Sequence, residues 1–251
     1  LLNGTMLEYL RLTKDYYIVP MRKAFAVLGT VHHGRLASYD DDVITEQTFI
    51  DAKTTGTCDL LEEEDNGYVL TDYKTWGSYR VARFLGLTAE LMDDPTGEIY
   101  QRAGTRGDGS KYYKGQVKQV KVWTPNPLIA DAEEVTLQLN AYRLKAEAAG
   151  FPIVRLQVQI TVRDGDTEIA RSRGIEQPMG LYPIEIMDDT EVNVYFGLKR
   201  ENLILALNLG WGAPCNQKER WDDIRCARYC DVVEFCSHGR EVKAKGGDQC
   251  E

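Results

Sequence analysis

The stretch TGTCDLLEEEDNGYVLTDYKT, residues 55–75, decides how this chain folds. Two runs rich in Thr, Val, Leu and Tyr flank an acidic turn, and Asn66-Gly67 is a strong hairpin signal, so the stretch predicts two antiparallel strands. Yet Asp59 sits in the first strand, and Asp72 and Lys74 in the second, where a hairpin ordinarily places packing residues. Side chains two apart on a strand share a face, so Asp72 and Lys74 project together and Asp59 reaches the same place from the partner strand. Two carboxylates and an ammonium thereby converge. Carboxylates are hard ligands suited to Mg²⁺ or Mn²⁺, ions that keep several waters and accept a phosphate oxygen. A lysine beside them stabilises charge building on the phosphate and helps deprotonate a bound water. This is the pattern of phosphodiester hydrolysis. Taken alone, a D-x-K pair is equally well an exposed ion pair of small energetic consequence.

Working outward, apolar residues at helical spacing (Phe25, Leu28, Val31, with Leu36 a turn on) predict a helix that carries His32 and His33. The segment SYRVARFLGLTAELMDD (78–94) reads as a helix, and YKGQVKQVKVWTP (113–125) as an alternating strand closed by Pro125 and Pro127. DAEEVTLQLNAYRLKAEAAG (131–150) is the clearest helix, with acids in its first turn and Gly150 as its stop. It places Gln138 and Tyr142 four apart on one face, where an amide and a phenol could both hydrogen-bond near a phosphate. A buried-type strand, PIVRLQVQITV, and a further helix around VNVYFGLKRENLILALNLG follow. The alternation of helices and strands is that of an α/β protein.

The chain has 251 residues, 43% of them hydrophobic, enough for a core of its own. It carries no apolar run of membrane-spanning length and no basic-then-apolar leader at its start, so the expectation is a soluble, intracellular protein with no membrane partner. A net charge of -9 argues against a nucleic-acid surface overall. One segment reverses that average. In residues 102–121 six basic side chains, among them Lys111, Lys114, Lys118 and Lys121, stand against the single acid Asp108, with Tyr112 and Tyr113 interleaved. Such a segment is either a solvated hairpin or a groove that guides a strand by phosphate contact and base stacking.

The C-terminal segment PCNQKERWDDIRCARYCDVVEFCSHG (214–239) holds Cys215, Cys226, Cys230 and Cys236. In a reducing compartment thiols at this density are metal ligands rather than disulfides, and four of them suit either tetrahedral zinc or a 4Fe-4S cluster. Cys58 alternates away from Asp59 on its strand and reads as a small buried hydrophobe. Cys250, next to the last residue, reads as a free thiol on a frayed end.

Four ordered motifs, GTVHH (29–33), GTCD (56–59), DYK (72–74) and QLNAY (138–142), together resemble the PD-(D/E)xK nuclease superfamily in its RecB-like exonuclease branch, which includes the CRISPR-associated iron-sulfur exonucleases and phage relatives. The resemblance implies a restriction-endonuclease-like core, a central mixed sheet flanked by helices, over residues 1–210, and an iron-sulfur appendage over 211–251. It implies that His33, selected over His32 by its distance from Gly29, binds Mg²⁺ or Mn²⁺ with Asp59, Asp72 and the carbonyl of Tyr73. Lys74 is then the catalytic lysine, Gln138 and Tyr142 complete the site, and Cys215, Cys226, Cys230 and Cys236 hold the 4Fe-4S cluster.

Two features depart from the family pattern: three residues instead of two separate Cys226 from Cys230, and no early cysteine precedes the histidine motif, so the fourth sulfur comes from Cys215 unless Cys58 or a cysteine ahead of Leu1 supplies it. The activity implied is a DNA exonuclease acting on strand ends or single strands in the cytoplasm of a bacterium or archaeon, or encoded by a phage. Its rival is a non-catalytic DNA-end-binding module with a zinc-bound tail.

Overall fold

The computed structural model describes residues 2–36, 38, 43–50, 55–106 and 109–246. The opening hairpin is its centre. Strands β1 (Ile44–Ile50), β2 (Thr55–Glu64) and β3 (Gly67–Trp76) form an antiparallel meander. With β8 (Ile153–Val162) and β9 (Met179–Ile184) they make a five-stranded sheet in the order β1-β2-β3-β8-β9. Strands β3 and β8 run in the same direction, since Tyr68 N–H bonds the Pro152 carbonyl at their start and Arg163 N–H bonds the Trp76 carbonyl at their end. The sheet is therefore mixed, with helices in the chain between its strands, and the α/β expectation holds. The hairpin loop is tighter than its sequence signal: Glu64 pairs with Gly67, so Asp65 and Asn66 form the two-residue turn and Gly67 already belongs to β3.

The chain divides into two compact units. Unit 1 comprises Leu1–Tyr73, Glu134–Val158 and Tyr182–Glu251, and unit 2 comprises Lys74–Glu133 and Gln159–Leu181. The expected boundary at residue 210 does not coincide with this division, because the cysteine segment shares unit 1 with the N-terminal helix.

In unit 1, apolar side chains of β2, β3 and β8 (Leu61, Val69, Leu70, Leu156, Val158) are buried, as are Val135, Leu137 and Leu139 of α4 (Glu133–Ala148). Burial of each such side chain contributes about 1.5–3 kcal/mol. The same helix buries Asn140, whose amide bonds the carbonyls of Thr136 and Glu185 and whose Oδ1 accepts from Met187 N–H, and Arg143, which reaches Asp189 at 2.5 Å. These polar contacts fix the passage from β9 into α6 (Asp189–Leu209), which starts on an Asp188 cap and ends at Gly210.

Helix α1 (Thr5–Thr13) packs Leu7, Tyr9 and Leu10 against Ala206 of α6 and Val232. Helix α2 (Ala24–Leu36) forms as expected, but its apolar stripe is not core: Phe25 is 64% and Val31 57% exposed. It meets the sheet through a histidine.

Unit 2 corrects two expectations. Residues 78–94 are not one helix: α3 (Ser78–Leu85) stops at Gly86, which is left-handed at φ 61°, and Leu87–Asp93 becomes β4. A side chain at Gly86 would sit 2.2 Å from the Asn126 carbonyl, so only glycine fits the turn. The helix-forming residues that follow are overruled by pairing with β7 (Gln119–Pro125). Nor is 113–125 a single strand. The short β5 (Gly104–Thr105) and β6 (Lys111–Tyr112) pair upstream, Gly115 turns the chain, and β7 starts only at Gln119. Unit 2 also holds α5 (Glu168–Arg171).

Candidate metal sites

Asp59 and Asp72 are buried, at 8% and 3% exposure, in strands where such burial of a carboxylate demands compensation. Asp59 Oδ2 accepts the Tyr73 N–H at 2.6 Å, and Oδ1 lies 3.4 Å from His33 Nδ1. The His33 ring meets Tyr73 edge-on at 5.9 Å. Thus the helix histidine, the first aspartate and the DYK backbone lie together, with the Tyr73 N–H rather than its carbonyl meeting Asp59.

Strand register adds a residue that the sequence reading missed. The β1–β2 pairs Thr45↔Leu60 and Gln47↔Cys58 leave Glu46 directly opposite Asp59. The β2–β3 ladder ends at Leu60↔Thr71, one step short of Asp59 and Asp72, where the Tyr73 N–H turns to the Asp59 carboxylate instead. Glu46 and Asp59 therefore form an acidic pair across β1 and β2. Donor atoms of His33, Glu46 and Asp59 all lie within 4.8 Å of one another, and Asp72 is not part of that closest group. Glu46 is exposed and its backbone is left-handed, at φ 51°. Burial raises the Tyr73 phenol, and the charges of Glu62, Asp59 and Glu46 raise it further.

Gln138 and Tyr142 face the same region of unit 1. The Gln138 amide donates to the Tyr142 hydroxyl at 2.9 Å. The Tyr142 ring lies on Gly56 of β2, where a Cβ would come within 3.0 Å of it, so the missing side chain lets α4 close on the strand that carries Asp59. Cys58, fully buried and bonded to the Gln47 carbonyl, is pushed up to about 12 by burial and by the neighbouring aspartates. It packs as expected. Lys74 follows Asp72 by two residues on β3, at the point where the chain passes into unit 2.

The second cluster lies in the C-terminal segment. The described cysteines are free thiols, and Cys250 lies outside the described residues. Cys215, Cys230 and Cys236 pack on the apolar group of Leu7, Tyr9, Leu10, Ala206 and Val232. Cys226 is on the buried face of α7 (Ile224–Arg228). Burial raises its thiol to about 11, and the charges of Cys230, Asp223, Cys236 and Cys215 raise it further. Burial also raises Cys215 and Cys230, against backbone N–H groups of Leu7 and Val232 that favour their thiolates. At Gly4 a Cβ would stand 2.5 Å from Cys215 Sγ.

The segment is tied down by polar contacts: Arg225 to Asn3 (2.5 Å), Lys199 to Glu219 (2.5 Å) and Arg11 to Asp231 (3.2 Å). The residues Trp221, Asp222 and Asp223 are all left-handed. They present Asp223 to His238, 2.7 Å away in α8 (Ser237–Gly246), and Asp223, Cys226 and His238 form a second three-donor group within 4.8 Å. Asp223 and His238 were also missed from sequence, since neither belongs to a recognisable spacing with Cys226.

The basic segment is in unit 2. Lys111 is on β6, Lys114 in the following turn and Lys121 on β7, all exposed. Lys118 is engaged instead, 2.5 Å from Glu98, whose hydrogen bond and charge hold it protonated. Tyr112 stacks on Tyr100 at 3.9 Å, with the Arg106 guanidinium 5.6 Å from each ring, so it is Tyr113, 65% exposed, that remains open to a ligand. Among the described residues no helix is long and apolar enough to cross a membrane. No protein-family model and no curated protein matches the sequence.

Proposed function

We propose that this chain is a divalent-metal-dependent deoxyribonuclease of the PD-(D/E)xK type, acting as an exonuclease on DNA ends, with a 4Fe-4S cluster in its C-terminal segment. The observation that carries the reading is the buried Asp59, held between His33 and the Tyr73 N–H. The donor set fits Mg²⁺ or Mn²⁺: His33, Asp59, Asp72 and the Tyr73 carbonyl would hold the ion. When bound, it supplies Lewis-acid activation of the phosphate and of the attacking water.

The chain's own groups do the rest. The Tyr73 N–H fixes one Asp59 oxygen, so the carboxylate cannot rotate away from its task. Strand alternation puts the Lys74 ammonium on the Asp72 face, where it offsets negative charge in the transition state. Tyr142, held by Gln138, offers a hydroxyl for a phosphate oxygen. The exposed Lys111, Lys114 and Lys121 would guide the strand by charge.

The thiols suit a cluster: Cys215, Cys230 and Cys236 share one apolar seat, Cys226 sits on the buried face of α7, and N–H groups are aimed at two of the sulfurs. A cluster there would cross-link the tail to itself on the face that packs against α1. One observation favours a second reading, a non-catalytic DNA-end-binding module with zinc in the tail: the grouping of Asp223, Cys226 and His238, a donor set zinc accepts. Anaerobic purification with an iron and zinc count, followed by assays on end-labelled and circular DNA with Mg²⁺ or Mn²⁺, separates the two. Brown protein that degrades linear DNA and spares circles supports the nuclease. Colourless, zinc-loaded protein that binds ends without cutting overturns it.

A further inference from the structure

Directly opposed like charges destabilise an antiparallel pair, and opposite pairs are what cross-strand positions normally select. The β1–β2 ladder does the reverse at one level only. Residues on either side pair regularly, Thr45 with Leu60 and Gln47 with Cys58, while between them Glu46 faces Asp59. The site costs twice, because Glu46 is also left-handed at φ 51°, a conformation that strains a residue with a side chain. Neither cost is offset by packing, since Glu46 is exposed. The repulsion is heightened on the other side, where Asp59 is buried and water screens it poorly.

What the arrangement achieves is convergence. His33 brings a nitrogen, and Glu46 and Asp59 an oxygen each, within 4.8 Å, with one side open to solvent. We propose that Glu46 is a further protein ligand, beside His33 and Asp59, for the divalent cation of the proposed site, and that this added N/O/O grouping favours Mn²⁺ over Ca²⁺. A cation converts the repulsion of the two carboxylates into shared attraction. The imidazole sets the preference, because nitrogen donors suit first-row transition ions while Ca²⁺ takes oxygen. The exposed side leaves room for waters or a phosphate oxygen. This rests on the nuclease reading for its purpose, but its geometry does not involve Lys74.

The test is Mn²⁺ binding by the full chain, followed by calorimetry and by loss of the free-ion resonance signal, in wild type, Glu46→Gln and Asp59→Asn. Glu46→Gln keeps size and backbone and removes only charge. Mn²⁺ affinity should fall by at least the roughly 10–100-fold that loss of an outer-shell partner costs. The melting temperature without added metal should stay level or rise, because the opposed charges are gone, whereas the rise on adding Mn²⁺ should shrink. Unchanged Mn²⁺ affinity in Glu46→Gln overturns the proposal, and so does wild-type affinity for Ca²⁺ equal to that for Mn²⁺. The nuclease reading fails separately. Glu46-dependent Mn²⁺ binding without DNA cleavage sinks the nuclease and keeps the ligand, and cleavage with Glu46-independent Mn²⁺ binding does the opposite.

Discussion

The two donor clusters of this chain are built on opposite structural principles. In the sheet, Glu46 and Asp59 are set by the register of β1 on β2, and Asp72 is buried in the next strand, β3. In the C-terminal segment the cysteines come from a loop and short helical turns, with three consecutive left-handed residues between Cys215 and Cys226 and ion pairs in place of a ladder. The hairpin therefore holds its donors whether or not anything binds. The tail depends on what its donors hold. Substitutions should separate into losses of chemistry in the first and losses of structure in the second.

The largest contrast lies at Lys74. Lys74→Ala should lower DNA cleavage by about 10²–10³-fold, the scale of removing one charge-stabilising donor, with melting temperature and Mn²⁺ affinity near wild type. Cleavage within a few-fold of wild type would remove Lys74 from the mechanism and with it the contrast. The opposite behaviour is expected at Gly4. Gly4→Ala forces a methyl to 2.5 Å from Cys215 Sγ, an overpacking that costs about 1–3 kcal/mol and should reduce bound iron. Gly56→Ala presses only on the side chains of Tyr142 and Lys145, from 3.0 Å, and should change cleavage more than stability. If thermal melts rank the two glycine variants the other way, the tail is the more self-sufficient structure.

A smaller effect sharpens the picture of unit 2. Replacing Lys111, Lys114 and Lys121 with Gln should flatten the dependence of log affinity on log salt by about 0.7–0.9 for each phosphate that is no longer neutralised. Lys118→Gln should alter it less, because that ammonium is already committed to Glu98. An equal change from Lys118 would show that the pair opens on DNA.

The smallest expected effect is acid sensitivity at Asp164. Burial alone would raise this carboxyl, but hydrogen bonds from the Ser78 hydroxyl and N–H, both 2.6 Å, and the charge of Arg173 hold it below the ordinary range. A depressed carboxyl adds stability above its unfolded value and loses it as pH falls through the folded value. Asp164→Asn should therefore lose stability near neutrality and little in strong acid, so that denaturant midpoints of the two proteins converge once pH falls below the folded carboxyl's depressed value. Parallel curves throughout would rule out this cap on α3.

What was legible in the sequence was what local spacing encodes. Runs of β-formers about a turn signal revealed β2 and β3, a buried-type apolar run revealed β8, helical period revealed α2, an acidic first turn with a glycine stop revealed α4, and short motifs picked out His33 and Asp59, which the fold does bring together. What escaped were residues whose meaning depends on a partner far away or on an unusual backbone. Glu46 lies in ITEQTFI (44–50), a run of β-formers that alone could have announced β1, but its importance comes from facing Asp59 across the ladder. Leu87–Asp93 contains good helix formers and became a strand because β7 pairs with it. Asp223 reaches His238 only through a left-handed turn that no periodicity foretells.

The opposed acids have a consequence for how the sheet assembles. Strand pairing tolerates slips poorly where one face is buried, since a one-residue shift turns each side chain to the other face. Here the shift would also set Thr45 or Gln47 against Asp59, and either neighbour is neutral. Glu46 and Asp59 meet only in the correct alignment. The pair is thus a register mark: an ion that needs both carboxylates would reward the properly threaded chain and ignore the slipped one, so that loading the site would proofread the pairing of β1 with β2.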